Sequence, residues 1–209
     1  MATYTAVHIQ TRDDDGVQTA LVDWLRSTHH AEPTIHQTPG LPDDFYHRPK
    51  FMASEHDPTR FVVMRRQPEW LTVFFNSFAE LDELTPLLSK MFDCRVVTIL
   101  AQSVTDAYFL LIYDSGEHLR TLEWVGESGE WIRQEGRPLG FETSPLGRNI
   151  SQPGEAPFYV FARDEVQQYC RELGLLLWEG EDSAATEIAV TPQRAQPAVT
   201  KKRWWEFWK

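Results

Sequence analysis

Apolar and polar positions alternate through "TYTAVHIQ" at residues 3–10, the period of a half-buried strand. The period changes after "DDDG", where Val17, Ala20, Leu21, Trp24 and Leu25 recur at helical spacing. Asp13, Asp14 and Asp15 stand where carboxylates cap the free amides of a helix start, a stronger reading than a metal site. Residues 28–59 lose periodicity and fill with Pro, His and Asp, which predicts a long loop. "RFVVMRR" and "WLTVFFNS" are β-rich runs joined by "QPE", and they predict a hairpin. "SFAE" fits a capping box of Ser77 and Glu80 ahead of a helix whose apolar face is Leu81, Leu84, Leu87, Leu88 and Met91. Pro86 is expected to kink or restart that helix, with Thr85 as a second cap.

"CRVVTILAQ" and "AYFLLIYD" are apolar on both faces and predict central strands. "DSGE" turns the chain into "HLRTLEWV", and "GESGE" turns it again into "WIRQEG". After a Gly/Pro-rich stretch over 136–157, "RDEVQQYCRELG" predicts a helix with Val166, Tyr169, Cys170 and Leu173 on its apolar face and Gly174 as its stop. "LLLW" reads as a last short strand. The first six elements follow the ferredoxin-like βαββαβ order, and an antiparallel meander extends them. The expected fold is therefore α+β, an antiparallel sheet with helices on one face. The pattern predicts one domain over residues 1–180, a disordered linker over 181–200 and an aromatic-basic docking tail over 201–209.

Composition changes this picture in one respect. The chain of 209 residues is 42% hydrophobic with no run long enough to span a membrane, and its first residues lack the basic start and apolar centre of a signal peptide. Two cysteines, Cys94 and Cys170, give no disulfide framework, so a cytoplasmic setting is expected. The net charge of -11 is unevenly spread. Arg194, Lys201, Lys202, Arg203 and Lys209 against Glu206 give +4 over residues 191–209, which leaves -15 over residues 1–190. Such an acidic body repels nucleic acid and favours a basic partner or simple solubility.

Candidate chemistry is sparse. No nucleophile elbow, phosphate loop, dinucleotide fingerprint or His-Glu-x-x-His is present. The loop over 28–59 holds His29, His30, His36, His47 and His56, at spacings that match no zinc motif. Cys94 and Cys170 read as packing residues. The densest polar group is Asp106, Asp114, Glu117, His118, Arg120 and Glu123 around one hairpin. Regular alternation puts His118 and Arg120 on one face, where a histidine beside a carboxylate could act as a general base. A solvated edge with cross-strand charge pairs is the plainer account. Arg60, Arg65 and Arg66 flank another strand and could meet an anion or the acidic body itself. Trp70, Trp124 and Trp131 have acidic neighbours and read as packing rather than nucleic-acid stacking.

The segment "KKRWWEFWK" is the strongest lead. Trp204, Trp205, Phe207 and Trp208 stand among Lys201, Lys202, Arg203 and Lys209 behind a polar tether. Trp204 and Trp208 are four apart, as on one helix face, but nine residues are too few for a helix to hold alone. An aromatic-accepting protein groove, own or foreign, ranks above weak attachment to an anionic membrane.

The stretch "LSKMFDCRVVTILAQSVTDAYFLLIYDSGEHLRTLEW", followed by "GRPLGFE", resembles small uncharacterised bacterial proteins, some of them similar to immunity proteins that neutralise toxins. The resemblance covers residues 77–142, rests on turns and strands, and carries over no functional residue. It implies a non-catalytic, partner-binding role. The expectation is thus a cytoplasmic binding protein of immunity or adaptor type, without cofactor or metal, with a protein partner and no nucleic acid. The alternatives are a peripheral protein at the inner membrane held by the tail, and a small enzyme with a site near the His118 hairpin.

Overall fold

A computed structural model describes residues 3–42, 45, 58–76, 81–102, 105–126, 129–177 and 184–191. In chain order the first elements are β1 (Thr3–Ile9), α1 (Asp14–His29), β2 (Thr34–Thr38), β3 (Thr59–Gln67), β4 (Trp70–Phe75), α2 (Leu81–Met91) and β5 (Arg95–Gln102). They continue as β6 (Ala107–Asp114), β7 (Glu117–Val125), β8 (Glu130–Gly136), β9 (Arg148–Asn149), β10 (Tyr159–Val160), α3 (Arg163–Glu172) and β11 (Ala185–Val190). Nine strands form one sheet in the order β2-β11-β3-β4-β1-β5-β6-β7-β8, and β9 pairs with β10 separately. Every pairing is antiparallel. The α+β class and its antiparallel sheet are as the pattern predicts.

The expected βαββαβ order is the centre of this sheet, where β3, β4, β1 and β5 lie side by side with α1 and α2 over one face. Alternation along each strand sorts the core into two layers. Val7, Ile9, Val73 and Val96 pack under Val17, Leu21, Leu25, Leu84 and Leu88 of the two helices. On the reverse face, Val97, Ile99, Leu110 and Leu122 pack with Val166, Tyr169 and Cys170 of α3. The helix α3 therefore covers the meander from the side opposite α1 and α2, so strands β5 and β6 are buried on both faces.

Local chemistry explains most boundaries. The Gly16 amide donates to Asp13 Oδ1 at 2.9 Å, so the acidic run caps α1. Helix α2 runs unbroken through Pro86, and Thr85 does not cap it. The Thr85 hydroxyl instead lies 2.6 Å from that of Thr98, a buried link from α2 to β5. The proposed capping box of Ser77 and Glu80 lies outside the described residues. Gly174, at φ +78, ends the turn after α3.

Two expectations fail at the far edge of the sheet. Residues 28–59 are not all loop, because α1 runs to His29 and β2 occupies Thr34–Thr38. Strand β2 shows no buried face, with Ile35 exposed, so it leaves no periodic signal. Backbone pairing to β11 holds it in place. The expected disordered linker over 181–200 contains β11, which fits between β2 and β3 and pairs with both. Ile188 and Val190 bury against α1, and pairing on both sides satisfies the strand's amides and carbonyls. "LLLW" is not a strand over its described residues. Leu175 and Leu177 pack beneath α3, while the Trp70 indole donates to the Gly174 carbonyl at 3.0 Å. No described helix is long and apolar enough to cross a membrane.

Candidate functional site

The polar group around β6 and β7 does not converge on one site. Asp106 and Asp114 sit at opposite ends of β6. Asp106 accepts from the Tyr108 hydroxyl at 3.1 Å, whereas Asp114 accepts from Arg95 Nη2 at 2.7 Å. His118 and Arg120 fall on opposite faces, contrary to simple alternation. A β-bulge is the cause, since Ile112 pairs with Arg120 and Tyr113 with His118, which leaves Leu119 as an extra residue. Gly136 makes the bulge possible: its φ is +84, and a Cβ there would meet the Leu119 carbonyl at 2.2 Å. His118 lies on the α2 side, with Nε2 2.8 Å from the Thr121 hydroxyl and its ring beside Tyr113.

Arg120 points to the α3 side and is buried with Glu142, the two side chains being 4% and 3% exposed. Its Nε and Nη2 donate to the two Glu142 oxygens at 3.0 and 2.8 Å, and Nη1 donates to the Glu135 carbonyl at 3.1 Å. The Tyr169 hydroxyl and the Leu139 amide also donate to Glu142, at 2.7 and 3.0 Å. Burial alone would push the Glu142 carboxyl up, but these hydrogen bonds outweigh it and hold the group below its usual range. Burial and the neighbouring carboxylate push the Tyr169 hydroxyl upward. The network clamps the strap over residues 137–147 onto β7 and α3. Beside it opens a cleft of about 670 Å³ lined by Trp124, Trp131, Phe158 and Tyr159 among others. The Trp124 indole N–H meets no acceptor among the described residues.

Other titratable candidates are spent on packing or pairing. Burial pushes the Cys94 thiol up to about 11 and raises Cys170 further, which removes the thiolate a nucleophile needs. Arg60 pairs with Glu187 and Arg65 with Asp14, so these two cations meet the acidic body rather than an external anion. His30 is the left-handed C-cap of α1 and His36 lies on edge strand β2, while His47 and His56 fall outside the described residues. Among the described residues no group of three or more His, Cys, Asp or Glu is placed to hold a metal. Glu123 is nearly fully buried on the α2 side, held above its usual range by burial despite Arg133 at 3.3 Å.

The second cleft lies on the opposite side of the sheet, between α1 and α2. It measures about 510 Å³ and is lined by Ala20, Trp24, Leu87, Met91 and Phe92, with Asp23 and Thr19 on its α1 side. Leu87 is 39% and Met91 56% exposed, although Leu84 and Leu88 of the same face are buried. The spacing of Leu84, Leu87, Leu88 and Met91 marks one apolar face, but periodicity cannot say which of the four lack a covering layer. Asp23 is the carboxylate of the lining, and the two helices and their ends carry others, Asp13, Asp14 and Asp15 at the start of α1 and Asp82, Glu83 and Asp93 on or just after α2. Arg26 and Lys90 are the basic residues of the two helices.

Comparison with protein-family models, characterised proteins and solved structures gives no match.

The aromatic-basic segment of Lys201, Lys202, Arg203, Trp204, Trp205, Phe207 and Trp208 lies outside the described residues. The described chain ends at Thr191 after β11, with nine residues between it and Lys201.

Proposed function

We propose that this chain is a non-catalytic binding protein of immunity or adaptor type, and that the α1–α2 groove receives a basic, aromatic-bearing segment of a protein partner. The observation that carries the reading is the pair of exposed apolar side chains, Leu87 and Met91, beside Trp24 and Phe92 with the Asp23 carboxylate in the same lining. Aromatic and long apolar anchors gain most in such a groove, where neighbouring contacts exclude water. The carboxylates add electrostatic steering of a basic partner, at rates that fall with salt. The separation of His118 from Arg120 and the shielding of both thiols favour binding over catalysis.

The test uses the full chain and a Leu87→Glu/Met91→Glu variant as paired baits in cell lysate, with mass-spectrometric identification. Both positions are on the surface, so the variant is expected to keep its fold and its stability within about 0.5 kcal/mol. The expected result is a basic partner captured by the wild type and reduced at least tenfold with the variant. A partner held equally by both would move the function off this groove, and capture of none by either the wild type or a full-length Trp204→Ser/Trp205→Ser/Trp208→Ser chain would remove the reading.

A further inference from the structure

We infer that residues 201–209 of this same chain seat in the α1–α2 groove, so that the protein carries its own competitor for the partner site. This rests on the groove reading above and adds the identity of a resident occupant. Three observations support it.

The first is chemical match. The groove is largely apolar with the Asp23 carboxylate in its lining, and "KKRWWEFWK" offers the complementary types, four aromatics and four cations with one carboxylate. Many arginines of the described body already pair with its own carboxylates, including Arg12, Arg26, Arg60, Arg65, Arg95 and Arg120. Residues 1–190 nevertheless carry a net charge of -15, which attracts a cationic segment, and residues 191–209 carry +4. The second is position. Strand β11 places Ile188 and Val190 in the same core cluster as Val17, Leu21 and Trp24, so the chain leaves the described fold beside α1. The third is reach. Ten residues, 191–200, can span at most about 33 Å, and α1 is about 24 Å long. The groove therefore lies within range of the segment without strain.

Tethering gives the segment an effective concentration on the order of 1 mM at the groove. If its untethered Kd is about 10 μM, a free copy would compete about a hundredfold less well against the intact chain than against one lacking the anchors. Removing the anchors would also strengthen partner binding.

The experiment is fluorescence polarisation with a labelled peptide of the sequence of residues 201–209. It is titrated into the full chain, into a full-length Trp204→Ser/Trp205→Ser/Trp208→Ser variant, and into that variant with Leu87→Glu and Met91→Glu added. The expected result is binding to the serine variant that weakens with salt, at least tenfold weaker binding to the wild type, and loss of binding when the groove is charged. Equal affinity for the wild type and the serine variant would overturn occupancy by the chain's own segment and leave the groove reading intact. No binding to the serine variant would overturn the match itself, and binding that survives the charged groove would place the segment elsewhere. Sedimentation of the full chain checks the remaining occupant. A dimer that becomes a monomer in the serine variant would assign the segment to a second copy and overturn occupancy in cis.

Discussion

A chain with methionine in place of Arg120 is expected to lose about 3–5 kcal/mol of unfolding free energy in urea titration. Arg120 and Glu142 are both nearly inaccessible to water, and the guanidinium supplies two of the four hydrogen bonds that Glu142 accepts. Methionine fills much the same volume but leaves a buried carboxylate with only the Tyr169 hydroxyl and the Leu139 amide as donors. The cost is that of an uncompensated buried charge, which exceeds the net worth of the pair. The double variant Arg120→Met/Glu142→Leu removes both charges and is expected to lose less than the two single losses added together. A loss below about 1 kcal/mol for Arg120→Met would show that water reaches Glu142 and that the network does not clamp the strap.

The second large effect is pH dependence at His8. This side chain is 2% exposed, with Nδ1 3.1 Å from the Thr72 hydroxyl and Nε2 3.1 Å from that of Tyr4. Burial, with a smaller contribution from the Arg66 charge, lowers its pKa from 6.5 to about 3. The unfolded chain therefore binds a proton below pH 6.5 that the folded chain refuses until about pH 3. Stability from this site is complete above that window and falls as the pH drops through it. Between pH 7 and pH 5 the loss is about 2 kcal/mol. A His8→Gln variant keeps an amide able to bond both hydroxyls but cannot titrate. Unfolding free energies from urea titration at the two pH values should fall further for the wild type than for the variant by that amount. Parallel slopes would show that His8 takes up its proton in the folded state near its ordinary pKa.

Regular alternation and helical spacing exposed most of the elements, because each buries one face against a neighbour. The helix faces of Val17–Leu25 and Val166–Leu173, the β3–β4 hairpin and the doubly buried β5 and β6 are all legible for that reason. Strand β2 was not, since an edge strand with every side chain toward water has no period to read. Strand β11 carries Ile188 and Val190 two apart, yet six residues in a polar stretch do not reveal that a slot awaits them between β2 and β3. Alternation fails for His118 and Arg120 because a bulge adds one residue, Leu119, and its trace in the sequence is a glycine seventeen positions later.

By itself, then, the amino-acid order determined the α+β class, the central βαββαβ order, the caps at Asp13 and Gly174 and the concentration of aromatic and basic residues near position 205. These depend on neighbours within a few residues, or on which face of a segment is apolar, and such information is local. Tertiary structure alone decided that α3 covers the face opposite α1 and α2, that Arg120 is buried against Glu142 and Tyr169, and that Leu87 and Met91 stay uncovered beside Trp24. Each of these depends on how segments far apart in sequence meet, and the apolar period of a helix is the same whether its face is covered or left open.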